Sequence, residues 1–160
     1  MKIGYIKMHE NAIEPEVSYE GTSNTMGIDL FTLHTQEFKC PGTSNTDEAH
    51  PHPSILPYCN FSTGIQFNLP LGVHLSWGGR SGLAFKHGRI AFEGKIDSNY
   101  TGEVAVKMWS MNPEDNGVVI QAGTKIAQLY IVHYNEQYEL EEVTVAKDST
   151  RGTSGFGSTG

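Results

Sequence analysis

Cysteine is scarce in this 160-residue chain, with only Cys40 and Cys59 present. Two thiols make no disulfide framework, so a reducing, cytoplasmic address is the expectation (a host cell's interior, were the gene viral). No hydrophobic run approaches the ~20 residues of a membrane span, and the opening MKIGYIKMHE lacks the apolar core of a secretion signal. Cations are few: 11 Lys and Arg stand against 18 Asp and Glu, a net charge of −7. That balance argues against nucleic-acid or membrane binding, which needs a basic face. A small polyanionic ligand stays open, provided that local cations, backbone N–H groups or a metal hold it.

What is present describes a folded domain. Hydrophobic residues make up 38% and aromatics 10%, with 18 glycines, enough for one domain with a single core. Period-two alternation recurs. In residues 61–68, Phe61, Thr63, Ile65 and Phe67 share a face; in 73–77, Val73, Leu75 and Trp77 alternate with His74 and Ser76. Residues 104–109 place Val104, Val106 and Met108 together, and residues 126–133 do the same for Ala127, Leu129 and Ile131, with Gln128 and Tyr130 opposite. Each pattern predicts a half-buried strand. One short helix is expected from Ser81 as N-cap to Gly88 as terminator. The class is all-β, a barrel or jelly-roll-like sandwich over residues 1–150.

Two stretches depart from that pattern. Residues 41–60 hold four prolines among polar residues, too long for an ordinary turn and read as an inserted loop. Residues 151–160, RGTSGFGSTG, cannot pack as an element, and composition alone favours a frayed end. Yet Gly152, Gly155 and Gly157 free the backbone to wrap an anion, while Arg151, Ser158 and Thr159 supply donors. The spacing is not a P-loop, because Ser158 stands where the lysine belongs and no helix follows. Phe156 has no local core to join and suits stacking on a base.

Other candidates carry two readings each. Asp97, in Ile96-Asp97-Ser98-Asn99-Tyr100, could close an Asx-turn or serve as a general base for water. Arg80 and Ser81 could be a solvated side chain and a helix cap, or a phosphate site. Asp29 fits a turn, and Gln128 a solvated strand face. His50 and His52 lack an evident third ligand for a metal.

In order, these segments resemble the five motifs of the trimeric dUTPase family. Met26-Gly27-Ile28-Asp29-Leu30 is similar to the first and Gly79-Arg80-Ser81-Gly82-Leu83-Ala84 to the second. The third resembles Gly94-Lys95-Ile96-Asp97-Ser98-Asn99-Tyr100-Thr101-Gly102, the fourth Ala122-Gly123-Thr124-Lys125-Ile126-Ala127-Gln128-Leu129, and the fifth residues 151–160. The resemblance implies a β-clip, jelly-roll-like subunit in a homotrimer, with active sites shared between subunits. It implies Mg²⁺-dependent hydrolysis of dUTP to dUMP and pyrophosphate, removing dUTP and supplying dUMP for thymidylate synthesis. Asp97 would activate the water; Arg80, Ser81, Gly82, Gln128, Arg151, Gly157, Ser158 and Thr159 would hold the triphosphate. Asp29 would stand near the metal through water. Tyr100 would exclude a 2′-hydroxyl, main-chain groups of residues 91–96, Ile96 included, would read uracil, and Phe156 would stack on the base as part of a flexible lid.

Four features depart from the family pattern. Gly79 replaces a proline, Asn99 an acid and Ser154 a glycine, and residues 41–60 exceed the usual connection. Two alternatives accompany this reading. One is a regulatory, protein-binding role through residues 41–60. The other is deamination of dCTP on a related fold, against which stands Lys107, where those enzymes place a catalytic glutamate.

Overall fold

The alternating segments pair into sheets, because half-buried strands need neighbours for their backbone groups. The computed structural model describes residues 2–17, 27–40, 56–133 and 142. Twelve strands follow in chain order: β1 Gly4–Lys7, β2 Glu16–Val17, β3 Ile28–Phe31, β4 Gln36–Glu37, β5 Tyr58–Ser62, β6 Ile65–Asn68, β7 Val73–Gly79, β8 Arg89–Ala91, β9 Gly94–Ile96, β10 Ala105–Ser110, β11 Val119–Ile120 and β12 Lys125–His133. Among the described residues one α-helix, α1, spans Ser81–His87, and a short 3-10 turn covers Pro113–Asp115. The expected all-β class with one short helix is the architecture found.

The largest sheet has the order β2-β3-β12-β7-β9, and a second has β5-β10-β8. Two-stranded ribbons, β1-β6 and β11-β4, complete the set. The core between them holds Leu30, Phe38, Phe61, Ile65, Leu75, Val106, Met108, Ile126 and Leu129, each at most 1% exposed. Among the described residues no helix is long and apolar enough to cross a membrane.

Three local expectations are corrected. Residues 61–68 form two strands rather than one, because Gly64 adopts φ +68° and breaks the extended backbone. The predicted inward face survives: Phe61, Thr63, Ile65 and Phe67 are all buried. His74, expected on an open face, is buried at the start of β7, a strand flanked by neighbours on both edges. Ser81 is the first helical residue and not the N-cap; that place belongs to Arg80, whose backbone is extended and whose side chain makes no cap. Gly88 does terminate α1, at φ 64° with its N–H on the Ala84 carbonyl at 2.9 Å.

Of the expected loop over residues 41–60, residues 58–60 lie in β5 and a bridge between Lys39 and Tyr58 closes its base. Residues 41–55 lie outside the described residues. No disulfide joins Cys40 and Cys59, which flank that stretch. Burial pushes the Cys59 thiol up to about 11, which keeps it protonated and unreactive.

A polar cluster ties the end of β10 to β8. The buried Asp115 carboxylate accepts from Arg89 Nε at 2.9 Å and Ser110 Oγ at 2.7 Å. Burial opposes its ionisation, but those two donors outweigh burial and hold its carboxyl below the usual carboxylate range. A carboxyl with a lowered folded value stabilises the fold above its unfolded pKa and loses that contribution as pH falls through the folded one. Asp115→Asn is therefore expected to cost about 1–3 kcal/mol near neutrality. Thermal melts in a pH series check this: the gap between wild type and variant narrows below about pH 4.

Candidate active site

Adjacent strands of the large sheet bring separate sequence segments into one row. The register aligns Glu16 of β2 with Asp29 of β3, Asp29 with Gln128 of β12, and Gln128 with Gly78 of β7. Cross-strand partners share a face, so these four positions line one side of the sheet. The row ends in open space, since a Cβ placed at Gly78 would meet nothing within 4 Å.

Asp29 is the centre of the row and is 1% exposed. One carboxylate oxygen accepts from Arg80 Nη1, and the other lies 2.9 Å from Lys125 Nζ. Gln128 Nε2 reaches the first oxygen at 3.5 Å and its Oε1 accepts from Tyr130 Oη at 2.8 Å. Lys125 also meets Glu16 at 2.7 Å and lies over the Phe31 ring, 5.5 Å from its centroid. Arg80 and Lys125 keep side-chain exposures of 30% and 38%. Two cations are thus held by a buried carboxylate while their side chains stay partly exposed, an arrangement that can receive an anionic ligand. Three predicted residues, Asp29, Arg80 and Gln128, meet here, with Ser81 exposed beside Arg80 and Gly82 exposed next in α1.

Lys125 was not singled out from the sequence. Strict alternation would put it and Gln128 on opposite faces. A register shift between Lys125 and Ala127 breaks the alternation, so Ile126 and Ala127 are both buried and both polar side chains reach Asp29.

The third motif forms a different part of the surface. Strand β9 edges β7 in the large sheet while β8 pairs with β10 in the second, and Gly94 of β9 faces Trp77 of β7, whose indole ring a Cβ there would overlap. Ile96 is buried with its side chain in the core, so only its main chain can meet a ligand. Asp97 is exposed directly after β9. The turn is closed by backbone, Tyr100 N–H donating to the Asp97 carbonyl at 3.0 Å, and not by an Asx side chain. Tyr100 Oη donates to the Glu103 carbonyl at 2.9 Å, its ring lying over Gly102, where a Cβ would be 2.4 Å from that oxygen. A cavity of about 260 Å³ opens among Trp77, Lys95, Tyr100 and Glu103.

Asp97 and the cation row do not meet within one chain. Ile96 pairs with Leu75 and Gly94 with Trp77, so Asp97 lies level with His74. Arg80 is six residues further along the same extended strand, roughly 20 Å away at ~3.3 Å per residue. Arg151, Phe156, Gly157, Ser158 and Thr159 lie outside the described residues. Among the described residues no group of three or more His, Cys, Asp or Glu could hold a metal.

The dUTPase family model matches residues 54–160. A deoxyuridine 5'-triphosphate nucleotidohydrolase of Picosynechococcus sp. is 33% identical over 162 aligned residues, covering 100% of this chain and 99% of its own. The chain belongs to the dUTPase family. Membership makes it a hydrolase of nucleotide metabolism. Its fold matches the Staphylococcus bacteriophage 80alpha dUTPase solved with dUpNHpp, at a TM-score of 0.76, 22% identity, and 99% and 98% coverage of the two chains. The dUTPase of S. aureus phage phi11, solved as a variant with a coordinated structural Mg(II) ion, matches at 0.70 and 20% identity over 92% of this chain and 100% of its own.

The family's first-motif glycine has a physical reason in this chain. A Cβ on Gly27 would lie 2.3 Å from the Gln128 side chain. Gly27→Ala should therefore push Gln128 off Asp29 and raise KM for the nucleotide several-fold with a small change in melting temperature. Steady-state kinetics beside a thermal melt test it; an unchanged KM would separate Gln128 from ligand binding.

Proposed function

We propose that this dUTPase-family hydrolase cleaves dUTP to dUMP and pyrophosphate by water attack at the α-phosphorus, in sites shared between chains of a homotrimer. The observation that carries the shared site is the separation along β7: the base and the phosphate-holding cations of one chain are roughly 20 Å apart. One triphosphate cannot bridge them, so Asp97 of one subunit works with Arg80 of another. An apolar face supports assembly as well: Ile90, Phe92 and Met111 are each about half exposed around a cavity of about 440 Å³ that Trp109 and Leu56 also line. Association of subunits would remove that surface from water.

In each site Arg80, Ser81, Gly82, Gln128 and Lys125 receive the phosphates over the open floor at Gly78. Arg151, Gly157, Ser158 and Thr159 close over them, with Phe156 on the base. Main-chain groups of residues 91–96 read uracil, and Tyr100 sits under the deoxyribose, where a 2′-hydroxyl would meet its ring. Asp97 accepts the proton of the attacking water, and the fixed donors stabilise charge growing on the phosphorus oxygens. The reaction consumes dUTP and delivers dUMP for thymidylate synthesis inside the cell.

The donor set fits a divalent ion carried on the substrate. Mg²⁺ prefers phosphate oxygens and water to an all-protein cage, and the engagement of both Asp29 oxygens by cations favours contact with the ion through water over direct coordination. Bound there, the ion would neutralise part of the triphosphate charge that a chain of net charge −7 repels.

Asp97→Asn should lower kcat by on the order of 10²–10⁴-fold while nucleotide binding persists, measured by pyrophosphate release and by calorimetric titration with a non-hydrolysable analogue. Turnover near the wild-type rate would remove Asp97 from the role. The shared site has its own test. Refolding Asp97→Asn chains together with chains lacking residues 151–160 should restore activity that neither has alone, since some mixed sites draw Asp97 and the tail from intact donors. A light-scattering monomer that is fully active would contradict it.

A further inference from the structure

The residue after the third motif is anchored at two ends. Glu103 offers its backbone carbonyl to Tyr100 Oη at 2.9 Å. Its carboxylate is fastened elsewhere, accepting from Ser62 Oγ and from Gly64 N–H at 2.6 Å. Burial opposes ionisation of Glu103, but donors at Ser62, Gly64 and Thr63 and the nearby His34 outweigh it and hold the carboxyl below the usual range.

The turn that receives the carboxylate is itself immobilised. Gly64 has φ +68° with Ala12 2.8 Å and Leu33 3.3 Å from where a Cβ would stand. Its carbonyl accepts from Met8 N–H, and that of Ser62 from Leu33 N–H, each at 2.8 Å. The fully buried Thr63 donates from Oγ1 to the Val104 carbonyl at 2.6 Å, and Val104 N–H returns to the Ile65 carbonyl at 2.8 Å. Asp97–Glu103 is held at its start by β9 and at its end by this turn.

We infer that Glu103 is a positioning residue for sugar selectivity: its carboxylate, clamped to the 62–64 turn, fixes the carbonyl that sets the height of Tyr100. Selectivity against a 2′-hydroxyl is a matter of tenths of an ångström between ring and sugar, and hard contact at fixed height is what discriminates. A carbonyl free to move would let the ring retreat and admit the ribonucleotide. The inference rests on the proposed placement of Tyr100 under the deoxyribose. It adds the reason that Tyr100 cannot yield.

The test is the ratio of kcat/KM for dUTP to that for UTP, a quantity independent of how much of a preparation is folded. Glu103→Ala should lower the ratio about tenfold, mainly through improved use of UTP. Glu103→Gln, which keeps an acceptor oxygen of the same reach, should restore it to within about threefold of wild type. Ser62→Ala removes one donor, leaves the Glu103 backbone alone and serves if the alanine variant does not fold; it should lower the ratio about threefold. Tyr100→Ala provides the reference loss. Should Tyr100→Ala collapse the ratio while Glu103→Ala and Ser62→Ala leave it intact, the role of Glu103 is overturned and that of Tyr100 stands. A ratio unmoved by Tyr100→Ala would end both.

Discussion

One buried carboxylate organises a face of the large sheet. Asp29 could not remain ionised at 1% exposure by itself, because the cost of removing a lone charge from water runs to several kcal/mol. Arg80 and Lys125 supply the compensation, and in doing so they lose the freedom to point elsewhere. The arrangement contributes little to net stability, since burying ions roughly cancels their attraction. What it delivers is two cations held in place on Asp29, so that in the proposed site binding would spend less on ordering long side chains. Gly27 and Gly78 belong to the same design: the first clears a path for Gln128, and the second leaves room above the row.

The strand-rich frame also decides what this chain lacks. β7 is paired along its length with β12 on one edge and, over Leu75 to Trp77, with β9 on the other. A strand so held cannot fold back to bring its two ends together. Asp97 and the cation row are therefore kept apart by the hydrogen bonds that pair β7 with its neighbours.

Much of this was legible in the amino-acid sequence. Period-two runs identified the buried faces of β5, β6 and β10, and of β12 at Ala127 and Leu129 though not at Ile131, which is exposed, and the ordered motifs pointed to the family. Asp29, Arg80 and Gln128 come together although they are far apart in the chain, as the resemblance implied. The misses have local causes. Gly64 lay inside an otherwise regular alternation and broke it, which a single glycine in a strand pattern can signal. Lys125 was hidden by the shift at Ile126, because alternation carries no information across a bulge. His74 was assigned to solvent because the alternation reports one covered face, whereas a central strand can have two. Glu103 acts through its backbone and side chain at once, and no residue pattern encodes that double use.

The span along β7 has a consequence for the enzyme in dilute solution. In the shared-site reading, a lone subunit carries every described part of the machinery but does not bring Asp97 to the cation row, however well folded it is. Activity would then follow the mass-action law of association: below the concentration at which subunits separate, turnover per chain falls steeply while the fold persists. Substrate, by bridging subunits, would oppose that dissociation and shift the concentration at which it occurs.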